Sequence, residues 1–203
     1  MIEQEGGIII QREKLGIILL AAGNSTRYQG IKLLDLVEGK KMYLHILERL
    51  MSVPLSPKII VTQYDEIARE ASGYGFEAVL NFEPELGISH SIQLGLTTAL
   101  EREPLLEGVL FGVCDQPYLK KSTLEKLIQT FMATDKSMAA LASREMIGNP
   151  CIFGRKYFEE LFALTLDTGG KKVLKRHPED VETVMVTEDK ELMDIDTKDM
   201  NCF

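Results

Sequence analysis

The chain is poor in the residues that build cross-linked or histidine-bound metal proteins. Its 203 residues include three cysteines, Cys114, Cys151 and Cys202, widely spaced and without a C-x-x-C pair. That spacing excludes a disulfide framework and a zinc knuckle, and it points to a reducing, cytoplasmic setting. With three histidines in the whole chain, a His-rich metal site is excluded and any metal is expected on carboxylates. No run approaches the roughly 20 apolar residues of a membrane helix, and the first fifteen residues lack the apolar core and cleavage site of a signal peptide. Positive charge is also scarce. Lys and Arg number 23 against 31 Asp and Glu, a net charge of −8, which argues against a broad electrostatic grip on nucleic acid or anionic lipid while leaving room for a local phosphate site. Much of that excess is local, because Pro178–Phe203 holds nine acidic and two basic residues and the remainder of the chain is nearly neutral.

What is present is an ordinary globular composition, 45% apolar and 27% charged. At this length a single domain buries roughly 70% of its unfolded surface and needs no disulfide or structural metal. Short continuous apolar runs alternate with helical patterns. Leu15–Leu20, Lys58–Thr62, Phe76–Leu80, Gly108–Val113 and Met138–Ala142 read as strands buried on both faces. Between them, Met42–Met51, Asp65–Ala71, Ile88–Leu100 and Ser122–Met132 read as helices, the last with Ser122 or Thr123 as N-cap. Further on come a strand at Pro150–Phe153, helices at Tyr157–Leu164 and Gly170–Lys175, a strand at Val181–Val186 and a short final helix. Strands separated by single helices imply right-handed crossovers and a mostly parallel sheet, with ligands at the carboxyl ends of the strands. Those ends are the loops that begin at Ala21, Asn81, Cys114 and Ser143.

The loop after the first strand carries the sharpest chemical signal. Ala21, Ala22 and Gly23 are small where a backbone must approach a ligand, Asn24-Ser25-Thr26 follows, and Arg27 and Lys32 add two cations. A triphosphate needs such unobstructed N–H groups together with fixed positive charge. The same composition also suits a tight strand exit with both cations solvated. It is neither a P-loop nor a dinucleotide fingerprint.

Leu20-Ala21-Ala22-Gly23-x-Ser25-x-Arg27 with Lys32 five residues beyond resembles the signature of the MobA-like nucleotidyltransferases, the molybdenum-cofactor type. Later segments agree in order: Gly87-Ile88-Ser89-His90-Ser91-Ile92 with Gly95, Asp115-Gln116-Pro117, Gly148-Asn149-Pro150, Asp167-Thr168-Gly169-Gly170-Lys171, and Asp194-Ile195-Asp196-Thr197. The resemblance spans Gly16 to Met200. Two positions depart from it, Gln29 followed by Gly30 where the family has glycine two residues after the arginine, and Cys114 where it has glycine before the aspartate. Cys114 reads as a packing residue.

The resemblance implies a three-layer, Rossmann-like α/β nucleotidyltransferase fold with a mostly parallel central sheet. It implies one domain over 1–203, with a nucleotide-binding part at 15–142 and an acceptor-binding part at 143–203. The implied reaction is attack by an acceptor phosphate on the α-phosphorus of a nucleoside triphosphate, releasing pyrophosphate. On this reading Leu20, Ala21, Ala22, Gly23 and Ser25 border the nucleotide, and Arg27 and Lys32 hold the triphosphate. Asp115 binds Mg2+, the expected cofactor, unless it serves only its D-x-P turn. Asp194 and Asp196 either serve in metal or substrate positioning, Asp194 as a metal ligand, or belong to a helix cap with Thr197. Ser89 and Ser91 contact base or ribose, or cap their own helix. Asn149, Gly169, Gly170 and Lys171 meet the acceptor, a molybdopterin-type cofactor with a terminal phosphate, although Asn149 also fits an ordinary turn before Pro150. His45 and His90 are expected as packing or surface residues. Leu20-Ala21-Ala22-Gly23 resembles the cytidine-transferring members, whereas guanosine-transferring relatives read L-A-G-G, so CTP is the expected donor. A molybdenum hydroxylase apo-enzyme is the implied recipient. The alternatives are a guanylyltransferase, a sugar- or polyol-phosphate nucleotidyltransferase, and a delivery protein that binds finished cofactor.

Overall fold

The computed structural model of the chain describes residues 14–23, 28, 30–144 and 146–196. Nine strands and six α-helices alternate along it. The strands are β1 (Leu15–Ala21), β2 (Leu36–Val37), β3 (Lys40–Lys41), β4 (Lys58–Thr62), β5 (Glu77–Leu80), β6 (Gly108–Val113), β7 (Met138–Ala142), β8 (Ile147–Gly154) and β9 (Val181–Met185). The helices are α1 (Met42–Met51), α2 (Asp65–Ala71), α3 (Ile88–Arg102), α4 (Lys121–Ala133), α5 (Phe158–Phe162) and α6 (Lys171–Arg176). Seven strands form one sheet in the order β5-β4-β1-β6-β8-β7-β9, and β2 and β3 make a separate small hairpin. All seven run in one direction except β8, which is antiparallel to both β6 and β7.

β8 reverses for a physical reason. Its connection from β7 spans only residues 143–146, too short for a parallel crossover but long enough for a hairpin. It also begins at Ile147 rather than at the expected Pro150, so Asn149 lies inside the strand and not in a turn. Because β8 runs backwards, its first residues reach the same edge of the sheet as the carboxyl ends of β1 and β6.

Alternate side chains of β1 enter two different cores, as expected of a strand buried on both sides. Ile17, Leu19 and Ala21 pack with α1, α2 and α4. Ile18 packs with Ile92, Leu96 and Ala99 of α3 and with Leu161 and Val173 of α5 and α6. The result is a three-layer, Rossmann-like α/β architecture. Gly95 allows α3 to lie flat on the sheet: a Cβ there would fall 2.6 Å from Ile18 Cγ2 and 3.0 Å from Val61 Cγ2. Among the described residues no helix is long and apolar enough to cross a membrane.

Two expected caps are replaced. Helix α4 starts at Lys121 with Lys120 in the N-cap position and no side-chain cap of its own, so Ser122 and Thr123 fall within its first turn. Helix α3 has Gly87 at its N-cap, so neither Ser89 nor Ser91 caps it. The expected final helix is a short 3-10 turn at Asp189–Leu192, after which Met193–Asp196 runs extended; Thr197 lies outside the described residues.

Candidate active site

The carboxyl ends of β1 and β6 meet at a cavity of about 360 Å³ bordered by Leu20, Ala21, Ala22, Gly23, Lys32 and Asp115. The β1 exit is held open from behind. Three consecutive residues at the end of β4 take up three consecutive carbonyls of the loop. Thr62 Oγ1 donates to the Ala21 carbonyl at 3.2 Å, Gln63 Nε2 to Ala22 at 2.9 Å and the Tyr64 hydroxyl to Gly23 at 3.0 Å. With those carbonyls pinned to β4, no side chain larger than methyl stands between the Ala22–Gly23 backbone and the cavity. Ser25, Arg27 and Gln29 lie outside the described residues. Beyond them Tyr28 is buried at the cavity wall, its hydroxyl donating to Asp35 Oδ2 at 2.8 Å.

Lys32 opens a 3-10 turn at Lys32–Leu34 and points into the cavity. Its ammonium lies 2.7 Å from Asp115 Oδ2 and 3.0 Å from Asp196 Oδ1. Burial lowers the lysine's pKa, but the charge and hydrogen bond of Asp115, then those of Asp196, outweigh it and hold the pKa above its ordinary value. The group is therefore a fixed cation. Asp115 lies two residues beyond the end of β6, after Cys114, and accepts the Ile195 amide on its backbone carbonyl at 3.0 Å. Its second carboxylate oxygen, Oδ1, is buried and has no hydrogen-bond partner among the described residues. Asp194 lies near by, its Oδ1 accepting from Gln116 Nε2 at 2.8 Å. Burial, and then the Asp115 charge, push its pKa up.

These carboxylates fit a divalent cation of the oxygen-loving kind. A buried, partnerless carboxylate oxygen beside a second carboxyl destabilised by its neighbour is a site short of positive charge. Mg2+ needs only one or two protein carboxylates when phosphate oxygens and water complete its shell. No cluster of three or more His, Cys, Asp or Glu arranged for a metal occurs among the described residues, so an all-protein cage is absent there. Asp194 borders neither cavity, whereas Asp196 borders this one.

A second cavity of about 500 Å³ adjoins the first, and Leu20, Ile88, Val113 and Asp167 border both. Its floor includes Ile92, Phe111, Cys151 and Phe153, and its rim carries Lys171, Lys172 and Lys175. Asn149, Gly169, Gly170 and Lys171 all border it. The amides at the start of α6 are less open than expected. Lys172 and Val173 N–H donate to the Gly169 and Gly170 carbonyls at 3.0 and 2.9 Å, leaving the ammonium groups as the phosphate-seeking chemistry of that rim. Gly87 borders the first cavity: at φ +83° a Cβ there would fall 2.4 Å from the Leu166 carbonyl carbon. Only glycine lets α3 start against the loop that leads to Asp167.

Ser91 borders the first cavity and accepts from Asn81 Nδ2 at 3.0 Å. Ser89 is buried, borders neither cavity, and donates its amide to Leu166 at 3.1 Å. Cys114 is buried, and burial, then Asp115, push its thiol well above the ordinary range, which is the state of a packing residue and not of a nucleophile. Cys151 is similarly pushed up to about 12 by burial. His45 is buried with Nε2 2.9 Å from the Val37 carbonyl, and His90 is half-buried. Sequence reasoning missed Tyr28, Gln63, Tyr64, Asp167 and Gln116 as parts of the site. Gln116 and Asp167 at least sat inside segments that signalled it.

A three-layer α/β sheet with one reversed strand, a small-residue loop after β1 and a carboxylate after β6 facing the same crevice define the nucleotidyltransferase fold. Residues 17–181 match the family model of the MobA-like NTP transferase domain, and the chain belongs to that family. It is 34% identical over 130 residues to a molybdenum cofactor guanylyltransferase of Histophilus somni strain 2336, covering 64% of this chain and 63% of that protein. The chain thus matches somewhat less than two thirds of that relative's length. Among solved structures, a homologue of Mycobacterium tuberculosis Rv0371c from Mycobacterium sp. strain JC1 superposes with TM-score 0.76 at 25% identity, over 91% of each chain. A nucleotidyl transferase from Methanothermobacter, Mth528, superposes with TM-score 0.76 at 21% identity, over 92% of this chain and 94% of that one.

Proposed function

We propose that the protein is a Mg2+-dependent molybdenum cofactor cytidylyltransferase, moving CMP from CTP to the terminal phosphate of a molybdopterin-type cofactor and releasing pyrophosphate. The observation that carries this reading is the pair of adjoining cavities. One has a loop backbone, a fixed lysine and a carboxylate in need of a cation. The other has an apolar floor and a lysine rim suited to a flat ring system bearing a phosphate. The nucleotide cavity is bordered chiefly by residues within 15–142, joined by Asp167 and Asp196, and the acceptor cavity draws on both 15–142 and 143–203.

In this mechanism the Ala22–Gly23 backbone approaches the nucleotide while Lys32, with one of its three N–H donors left over from Asp115 and Asp196, holds a phosphate oxygen. Arg27 adds a second cation to the triphosphate. Lys171, with Lys172 and Lys175, fixes the acceptor phosphate beside the shared wall, so that its oxygen faces the α-phosphorus. The new P–O bond forms as the α–β bridging bond breaks, and pyrophosphate leaves with that electron pair. Alignment and charge neutralisation supply most of such a rate enhancement. Asp115 would hold Mg2+, which offsets phosphate charge, and of the two later aspartates Asp196 rather than Asp194 borders the same cavity. Asn149 and Ser91 contribute polar contacts to acceptor and nucleotide respectively.

The choice of CTP rests on the L-A-A-G loop. A second reading, GTP as donor, is favoured by the 34% identity to a guanylyltransferase. The deciding experiment is pyrophosphate release from CTP, GTP, ATP and UTP with Mg2+ and a molybdopterin-type cofactor. CTP-dependent release supports the proposal. Turnover with GTP alone rejects the cytidylyl assignment, and cofactor binding without turnover of any nucleotide replaces it with a delivery protein.

A further inference from the structure

Glu191 is a carboxylate, only 1% exposed, with no lysine or arginine at salt-bridge distance among the described residues. Isolated burial of this kind is costly unless strong hydrogen bonds replace the lost water. They do. Oε2 accepts from the Thr123 hydroxyl at 2.5 Å and from the Lys120 amide at 3.2 Å, and Oε1 accepts from the Thr187 amide at 3.3 Å. Lys120 and Thr123 flank the start of the 13-residue helix α4, where a negative charge also opposes the positive end of the helix dipole. Glu191 therefore acts as a remote cap, contributed from 71 and 68 positions further along the chain than Lys120 and Thr123, the residues it serves.

The same carboxylate fastens the segment that carries Asp194 and Asp196. From Glu191 onward that segment is tied to the Asp115 loop at successive points. Gln116 Nε2 donates to the Leu192 carbonyl at 3.3 Å and to Asp194 Oδ1 at 2.8 Å. The Ile195 amide reaches the Asp115 carbonyl at 3.0 Å, and Asp196 meets Lys32 at 3.0 Å. Before it, Lys120 pairs with Glu188 at 2.5 Å on the surface, and the Lys190 ammonium sits 3.7 Å from the centre of the Tyr118 ring. Of these ties Glu191 is the one that is both buried and anchored in a helix. The others join loop to loop.

We infer that Glu191 is a positioning residue: by locking the C-terminal segment onto the start of α4 it sets the distance of Asp194 and Asp196 from Asp115 and Lys32, and so the affinity of the crevice for a divalent cation and its triphosphate. It touches neither cavity. The inference rests on reading the Asp115 crevice as a metal–nucleotide site. Supporting groups of this kind change metal affinity when removed, typically by about 10–100-fold.

The test uses Mn2+ as a paramagnetic stand-in for Mg2+, titrated against the full chain in the presence of CTP and followed by electron paramagnetic resonance. Glu191→Gln keeps one acceptor oxygen but sets an amide against a donor and removes the charge at the helix start; its Mn2+ dissociation constant should rise about tenfold or more. Thr123→Val loosens the same clamp from the other side and should move affinity in the same direction by less. Hydrogen exchange of the 192–196 amides should quicken in both. Leu50→Ala, which removes a buried side chain from the C-terminal turn of α1, beside the start of β4 and away from the crevice, should lower the melting temperature and leave Mn2+ affinity unchanged. Wild-type affinity and wild-type exchange in a folded Glu191→Gln would overturn the inference. A wild-type protein that binds no Mn2+ with any nucleoside triphosphate would overturn the site reading first, and this inference with it.

Discussion

Replacing Asp115 with asparagine tests the proposed metal role of this carboxylate apart from its structural one. The substitution keeps the shape and removes one charge. One orientation places the new amide against the Lys32 ammonium, which now stands 2.7 Å from Oδ2, donor facing donor. The other keeps an oxygen there and leaves the amide in the buried position where Oδ1 has no partner. Either way Lys32, whose side chain is 13% exposed, is left with Asp196, whose side chain is 46% exposed. Weakening a charge-assisted hydrogen bond of this kind costs about 1–3 kcal/mol. Part of that cost is recovered, because the repulsion that raises the Asp194 pKa disappears with the charge. A net loss of about 1–2 kcal/mol in a chain of this length lowers the melting temperature by roughly 2–8 °C, so the variant should fold. Catalysis should suffer far more. Losing a metal carboxylate and the oriented lysine together is expected to remove about 3 kcal/mol of transition-state stabilisation, or about 100-fold in kcat/KM. The assay is pyrophosphate release across a Mg2+ titration, alongside thermal melting. A variant within about threefold of wild type at every Mg2+ concentration would refute the metal role of Asp115.

Three further outcomes are expected. Ala22→Gly converts L-A-A-G into L-A-G-G and should shift the ratio of kcat/KM for CTP over GTP toward GTP by about tenfold, the worth of one small apolar contact; competition between the two nucleotides measures it. Lys171→Ala should raise KM for the phosphorylated acceptor several-fold while leaving KM for CTP near wild type, as read from steady-state kinetics with each substrate varied in turn. Asp180 lies behind the acceptor side, bonded by Lys156 at 2.8 Å, the Tyr157 hydroxyl at 2.7 Å and the Ser137 amide at 2.8 Å. Burial raises its pKa but these three donors outweigh it and hold the carboxyl well below the usual carboxylate range. Its native form thus releases its proton more readily than the unfolded chain does, so its stabilisation is complete at neutral pH and is lost as pH falls below about 4. Asp180→Asn should flatten that part of the melting profile.

Much of the architecture was legible because its signals are local. Lys58–Thr62 and Gly108–Val113 are continuous apolar runs bounded by turn residues, and α1 and α2 begin and end where their periodicity does. The small-residue loop declared itself by composition, and resemblance to a family joined it to Asp115, 83 positions beyond Lys32 in the chain. What stayed hidden depends on distant partners. Ser122 looks like a helix cap until Glu191 is seen in that role. Nothing within Met138–Gly154 except the length of one connection reveals that β8 runs backwards. Asp194 and Asp196 form an identical pair in sequence, yet one turns to Gln116 and the other to Lys32, partners that lie far from both in the chain. Gln63 and Tyr64 follow an unremarkable strand and matter only because β4 lies beside β1.

Leu20, Ile88, Val113 and Asp167 face both cavities, so the two have a wall in common. Whatever fills one contacts side chains that also line the other. Each occupant then alters the surface its neighbour binds, and thermodynamic linkage requires the benefit to be mutual: the factor by which the nucleotide tightens the acceptor equals the factor by which the acceptor tightens the nucleotide. A shared wall thus makes cooperativity between the two ligands a property of the empty protein's shape.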